Sequence, residues 1–177
     1  MEKTVGILGG GQLGRMLAEA ANRLNVKVVT LDKKGCPASQ VTLSENLIEG
    51  SFKDPQAIKE LASRVDIITT EIEHVNADAL QALIDGDATV AGRRALVQPH
   101  PSTMKTILDK FDQKEYLLNR NFPVARSVAV KEGGDVEDVR KAVKSVGGCP
   151  VSVFPCRTAK PLREVWHRLL RQLSVTY

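Results

Sequence analysis

An α/β fold built on a parallel sheet is predicted by three features of the sequence: an apolar strand running into a glycine turn, strand and helix patterns that alternate afterwards, and acids at the ends of strand-like runs. The first of these is Thr4 to Met16, TVGILGGGQLGRM. Val5, Ile7 and Leu8 favour a buried strand, while Gly9, Gly10, Gly11 and Gly14 remove side chains where the backbone turns. A helix beginning near Gln12 brings unpaired N–H groups and the positive end of its dipole to this corner, which suits a phosphate. Gly9, Gly11 and Gly14 fit G-x-G-x-x-G. That pattern serves a dinucleotide, a nucleotide monophosphate or plain packing of helix on strand, and alone it does not choose among them.

After the turn, Leu13, Met16, Leu17, Ala20, Ala21 and Leu24 recur at helical spacing, with Asn25 as the stop. Val26 to Leu31 alternates strand formers and ends on Asp32, so strand, turn, helix and strand form a right-handed βαβ unit. Asp32 either holds a ribose hydroxyl, as in dinucleotide folds, or caps the turn that follows it. Lys33 to Ser44 is polar and turn-rich; Asp54 and Pro55 then open a helix as N-cap and first residue, with Ala57, Ile58, Leu61 and Ala62 facing the sheet.

The next apolar run, Val65 to Ile72, continues into Glu73-His74-Val75. Read as a strand, it puts Glu71 and Glu73 on one face at a carboxyl end, where open α/β sheets bind ligands, and turns His74 the other way. A helix from Ala77 to Ile84 and a strand from Thr89 to Ala91 complete a layer of about four strands. The prolines of Gln98-Pro99-His100-Pro101-Ser102 then interrupt the pattern and mark a boundary. Beyond them Ser102 is expected to cap one long helix reaching Asn119. That helix has an apolar side including Met104, Ile107, Leu108 and Phe111 and a polar side including Asp109 and Lys110. A strand from Phe122 to Val130, a helix from Val136 to Val146 ended by Gly147-Gly148, and a strand opening at Pro150 to Phe154 follow.

The 177 residues carry 25 Lys+Arg and 21 Asp+Glu. Five of the bases and one acid lie from Arg157 onward, so residues 1–156 hold 20 of each sign. The basic excess belongs to the tail, and a nucleic-acid surface is not implied. Cys36, Cys149 and Cys156 are odd in number and unpatterned, and Glu2 and Lys3 precede a strand where a signal peptide would place an apolar stretch. These features predict a reducing, cytoplasmic setting. Cys149, Cys156 and His167 match no common zinc spacing, and no run is long enough to span a bilayer.

Taken in order, TVGILGGGQLGRM, EAANRLNVK, GSFKD, TTEIEHV and LDKFDQKEYLLNRNFPVARSVAV resemble the carboxyaminoimidazole ribonucleotide synthetases of purine biosynthesis, including the fungal phosphoribosylaminoimidazole carboxylases, over about residues 4–150. The resemblance implies a Rossmann-like pre-ATP-grasp domain over residues 1–98 and the opening of an ATP-grasp α+β domain over 99–156. It also implies the reaction: ATP and bicarbonate form carboxyphosphate, which carboxylates aminoimidazole ribonucleotide, with magnesium on the ATP. Carried over by position, Gly9, Gly10, Gly11, Gln12, Leu13, Gly14 and Arg15 help hold the ribonucleotide, Glu71 or Glu73 faces its aminoimidazole, and Lys110 meets ATP. No catalytic residue and no metal ligand is assigned.

The sequence leaves the family pattern after Gly148-Cys149-Pro150, where relatives continue with an ATP-binding lysine, a Y-D-G-R-G loop and the magnesium-holding acids. The expectation is therefore a truncated chain, from altered splicing or a shifted frame, that binds without turnover. Residues 157–177 carry an apolar stripe of Leu162, Val165, Trp166, Leu169, Leu170 and Leu173 flanked by arginines, the pattern of a basic amphipathic helix. Such a helix covers the apolar surface left by the missing half, docks a partner or lies on a membrane surface; self-association and pairing with a full-length enzyme follow from an uncovered face. Two other function classes stay open at this level: an NAD-binding oxidoreductase fragment, on G-x-G-x-x-G with Asp32, and a regulatory interaction protein without enzymatic activity.

Overall fold

The computed structural model describes residues 3–86, 95–130, 135–148 and 151. The chain forms two compact units, Met1–Lys105 and Thr106–Tyr177.

The first unit is a five-stranded sheet in which every pairing is parallel. Its strands are β1 (Thr4–Leu8), β2 (Lys27–Asp32), β3 (Leu47–Glu49), β4 (Ile67–Thr70) and β5 (Leu96–Val97), in the order β3-β2-β1-β4-β5. The chain steps outward from β1 to β3, then returns across β1 to β4. Right-handed crossovers in opposite directions put the connecting helices α1 (Gln12–Arg23) and α2 (Pro55–Arg64) on opposite faces. The alternation of β1 agrees: Ile7 packs with Ala18 of α1 and Val28, while a methyl group at Gly6 would stand 3.0 Å from Val65 and 3.1 Å from Leu61. A third helix, α3 (Ala77–Asp85), is capped by Asn76, whose side chain accepts the Ala79 N–H at 2.9 Å.

The glycine turn, the βαβ unit and α2 follow the sequence reading. Asp54 accepts the Gln56 N–H at 3.0 Å, Pro55 begins α2, and Ala57, Ile58, Leu61 and Ala62 are buried. Asn25, the expected stop of α1, takes a left-handed φ of 55°. Strands β3 and β5 were not legible, and β4 ends at Thr70, short of the expected Ile72. On α1 the sheet-facing residues are the small ones, Gly14 and Ala18, with Ala21 partly buried beside them. The large apolar residues of its pattern lie outside: Leu13 is 58%, Met16 61%, Leu17 44% and Leu24 75% exposed. The cause is close approach, because a methyl group at Gly14 would collide with the Gly9 carbonyl oxygen.

Helix α4 (Pro101–Leu108) crosses the division between the units, and α5 (Lys110–Leu118) and α6 (Val136–Ser145) belong to the second. The single helix expected from Ser102 to Asn119 is thus two. Asp109 interrupts it with extended backbone, φ −105° and ψ 118°, and caps α5 by accepting the N–H groups of Phe111 and Asp112. A short acidic side chain competes well with helix continuation in this way. Ser102 lies within the first turn of α4, its hydroxyl 2.9 Å from His100 Nδ1, and is not the cap expected of it. Residues 122–130 form no strand, and Phe122 and Val128 are exposed. Helix α6 begins with a reciprocal capping box between Asp135 and Asp138 and ends at Gly147 and Gly148, both with positive φ. The strand expected at 89–91, the strand opening at 150–154 apart from Val151, and the tail helix of 157–177 lie outside the described residues.

Candidate functional site

The strand order reverses at β1: α1 leads to one side of it and α2 to the other. The crevice beyond the carboxyl ends of β1 and β4 is therefore the topological switch point of the sheet, the place where open α/β sheets receive ligands. Two loops meet there. The glycine turn leaves β1, pinned by the Gly9 N–H on the Leu31 carbonyl at 3.1 Å, and Glu71 leaves β4, its own N–H on the Leu8 carbonyl at 2.9 Å.

Gly9 has φ +106°, a conformation that a Cβ strains, and Gly11 is the N-cap of α1 without any side-chain cap. The Glu71 carboxylate lies over these glycines. A methyl group at Gly9 would stand 2.6 Å from Glu71 Oε2, and one at Gly11 would stand 3.6 Å from both carboxylate oxygens. Burial holds the Glu71 carboxyl above its ordinary value, and the nearby charges of Asp32 and Glu73 push it further in the same direction. A carboxylate so placed gains from any ligand group that donates a hydrogen bond to it or carries positive charge.

Glu71 reaches this position from just beyond the strand, since β4 ends at Thr70. The period-two argument that paired it with Glu73 therefore does not apply. Glu73 makes a 4.0 Å contact with His74 Nδ1, and the His74 side chain is 62% exposed. Arg15 is engaged along the surface: Nε donates to Glu19 Oε1 at 2.8 Å and Nη1 to Gln40 Oε1 at 2.6 Å. Gln12 and Leu13 are exposed in the first turn of α1. Lys110 is the first residue of α5 in the second unit, where its Nζ donates to the Ile107 carbonyl at 3.2 Å.

Asp32 is tied inward. Its Oδ2 accepts the Gly10 N–H at 2.6 Å and its Oδ1 the Lys33 N–H at 2.7 Å. The bond to Gly10 was missed from the sequence, because no spacing rule connects an acid after one strand to a glycine after another. Asp32 also lines a hollow of about 470 Å³ at the ends of β2 and β3, together with Lys33, Lys34, Glu49, Gly50, Ser51 and Phe52. Among the described residues no three His, Cys, Asp or Glu side chains cluster to hold a metal, and no helix is long and apolar enough to cross a membrane.

Residues 1–107 match the family described as the ribonucleotide synthetase preATP-grasp domain. The chain is 44% identical to the phosphoribosylaminoimidazole carboxylase of Saccharomyces cerevisiae over 133 residues, which is 75% of this chain and 22% of the yeast protein. It is 37% identical to the N5-carboxyaminoimidazole ribonucleotide synthase of Brucella melitensis over 146 residues, 82% of this chain and 37% of that one. Among solved structures, the N5-carboxyaminoimidazole synthase of Aspergillus clavatus, in complex with ADP and 5-aminoimidazole ribonucleotide, superimposes with a TM-score of 0.71 at 37% identity, covering 82% of this chain and 36% of that one. The chain thus spans between 22% and 37% of the length of these relatives.

Proposed function

Because the chain belongs to the ribonucleotide synthetase preATP-grasp domain family, we propose that its first unit holds the ribonucleotide of an ATP-dependent carboxylation in purine biosynthesis. The observation that carries this reading is the Glu71 carboxylate lying over Gly9 and Gly11 at the switch point of the sheet. One short crevice there combines a helix N-terminus with an acid, which suits a ligand with a phosphate at one end and an amino-substituted ring at the other. The Aspergillus relative was solved with 5-aminoimidazole ribonucleotide, a molecule of that kind.

In this reading Gly11, Gln12 and Leu13 face the phosphate and ribose, while Gly9, Gly10 and Gly14 shape the turn behind them. Arg15 joins them by exchanging Gln40 for the ligand. Glu71 accepts a hydrogen bond from the aminoimidazole amino group, with Glu73 beside it adding negative potential. Donation by the ligand favours the charged carboxylate, so binding lowers the raised Glu71 value and releases a proton over the range where the free group is still protonated. The domain plan is a ribonucleotide-binding domain over 1–98, the opening of an ATP-grasp domain over 99–156 and a basic tail over 157–177.

ATP, when bound, supplies the phosphoryl group that activates bicarbonate, and in this chain Lys110 is the residue assigned to meet it. The described residues offer no acidic cluster fitted to magnesium, so no step is assigned to the metal here. The chain spans 22% to 37% of these relatives, and the step proposed for its described residues is binding of the ribonucleotide. Isothermal titration of the purified chain with aminoimidazole ribonucleotide, Mg-ATP and NADH tests the assignment. Saturable binding of the ribonucleotide, weakened at least tenfold by Glu71→Ala, is expected; binding of NADH alone, or of none of the three, overturns it.

A further inference from the structure

The turn at Gly10 is held from below by the end of β2. Its N–H goes to Asp32 Oδ2 at 2.6 Å, while its carbonyl accepts the Ala38 N–H at 2.9 Å. A methyl group at Gly10 would stand 2.6 Å from Cys36 Sγ, 3.1 Å from Asp32 Cβ and 3.2 Å from Thr30 Cγ2. The residue therefore sits in a socket that admits only glycine, with both of its backbone polar groups engaged on the protein side. Asp32 is 9% exposed, and each of its oxygens carries a backbone donor. A ribose in the hollow lined by Lys33, Glu49 and Phe52 would meet a largely buried carboxylate whose two oxygens each already hold a backbone amide.

We propose that Asp32 is a positioning residue: by holding the Gly10 N–H it fixes the glycine turn so that Gly11 to Leu13 open toward a ribonucleotide monophosphate, and it does not itself touch the ligand. The role rests on the ribonucleotide reading above. The two oxygens differ in what a neutral substitute retains. Asparagine keeps one acceptor for Gly10, whereas alanine leaves both amides without their acceptor.

The test is titration of the full chain with aminoimidazole ribonucleotide and separately with NADH, for wild type, Asp32→Ala, Asp32→Asn and Asp54→Ala. Asp54→Ala removes the cap of α2 and controls for lost stability alone. All titrations run well below each variant's unfolding transition. The expected result is a ribonucleotide Kd at least tenfold weaker for Asp32→Ala, within threefold of wild type for Asp32→Asn and unchanged for Asp54→Ala, with no NADH binding throughout. Should Asp32→Ala not fold, Asp32→Asn carries the test through the Gly10 amide proton. That resonance must move upfield as it exchanges a carboxylate for an amide acceptor, with affinity held within threefold. Unchanged affinity in Asp32→Ala, equal weakening in Asp54→Ala, an unmoved Gly10 resonance or Asp32-dependent NADH binding each overturns the role. Absence of ribonucleotide binding in wild type is the distinct signature that the functional reading itself has failed.

Discussion

Replacing Gly9 by alanine strikes the candidate site at its most constrained point. At φ +106° a Cβ carries conformational strain of about 1–3 kcal/mol. It also stands 2.6 Å from Glu71 Oε2, and moving that carboxylate off its rotamer costs about 0.5–1.5 kcal/mol. The single substitution is therefore expected to destabilise the first unit by roughly 2–4 kcal/mol, or about 5–15 °C for a chain of this length. The second contribution depends on the Glu71 carboxylate and the first does not. In a Glu71→Ala background the penalty of Gly9→Ala should accordingly shrink by about 0.5–1.5 kcal/mol, the coupling expected of residues in contact. Native-state hydrogen exchange of β1 and β2 amides reads the first unit separately from the second. A Gly9→Ala penalty below about 0.5 kcal/mol would refute the backbone argument. Full additivity with Glu71→Ala would refute the contact.

Glu71→Gln addresses the raised carboxyl value: between the unfolded and folded values the folded protein binds more protons, so wild-type stability falls as pH rises through that interval and stays lowered above it. The variant should unfold at a higher temperature than wild type at pH 7, with the gain fading as pH falls through that interval and gone below about pH 4, where the unfolded group is itself protonated; identical pH profiles would falsify the assignment. Leu61→Ala, at a fully buried position, is expected to cost about 2–5 kcal/mol, while Met16→Gln on the exposed side of α1 should stay within about 0.5 kcal/mol, both read by urea unfolding. A large Met16→Gln effect would show that the outer side of α1 is covered.

The features legible in the sequence are those dictated locally. The strand leading into Gly9, the βαβ unit and the capped start of α2 each rest on residues within a few positions of one another, where backbone conformation decides the outcome. What failed was tertiary in origin. β3 has three residues and β5 two, too short to show a period, and they exist because β2 and β4 offer them partners. The apolar pattern of α1 indicated a helix and not its inward side, which the contact between Gly14 and Gly9 selects. Asp109 read as one more polar residue of a long helix, although its carboxylate serves the next helix as a cap. At the site, strand alternation pairs Glu71 with Glu73 although the strand ends at Thr70, and only the family resemblance joins Glu71 to the glycines. Its place over Gly9 comes from parallel pairing of β1 with β4, in register from Val5 with Ile67 to Leu8 with Thr70.

The brevity of the two outer strands bears on how this sheet behaves in a crowded solution. Among the described residues β3 and β5 are the outermost strands, and at about 3.3 Å per residue they offer edges of roughly 10 Å and 7 Å, less than a foreign chain needs to template onto the sheet. Just past β5, Pro99 withholds the N–H with which that edge would continue. The long, sticky strands β1 and β2 are kept in the interior of the sheet, and the rims are blunted against accretion of further copies.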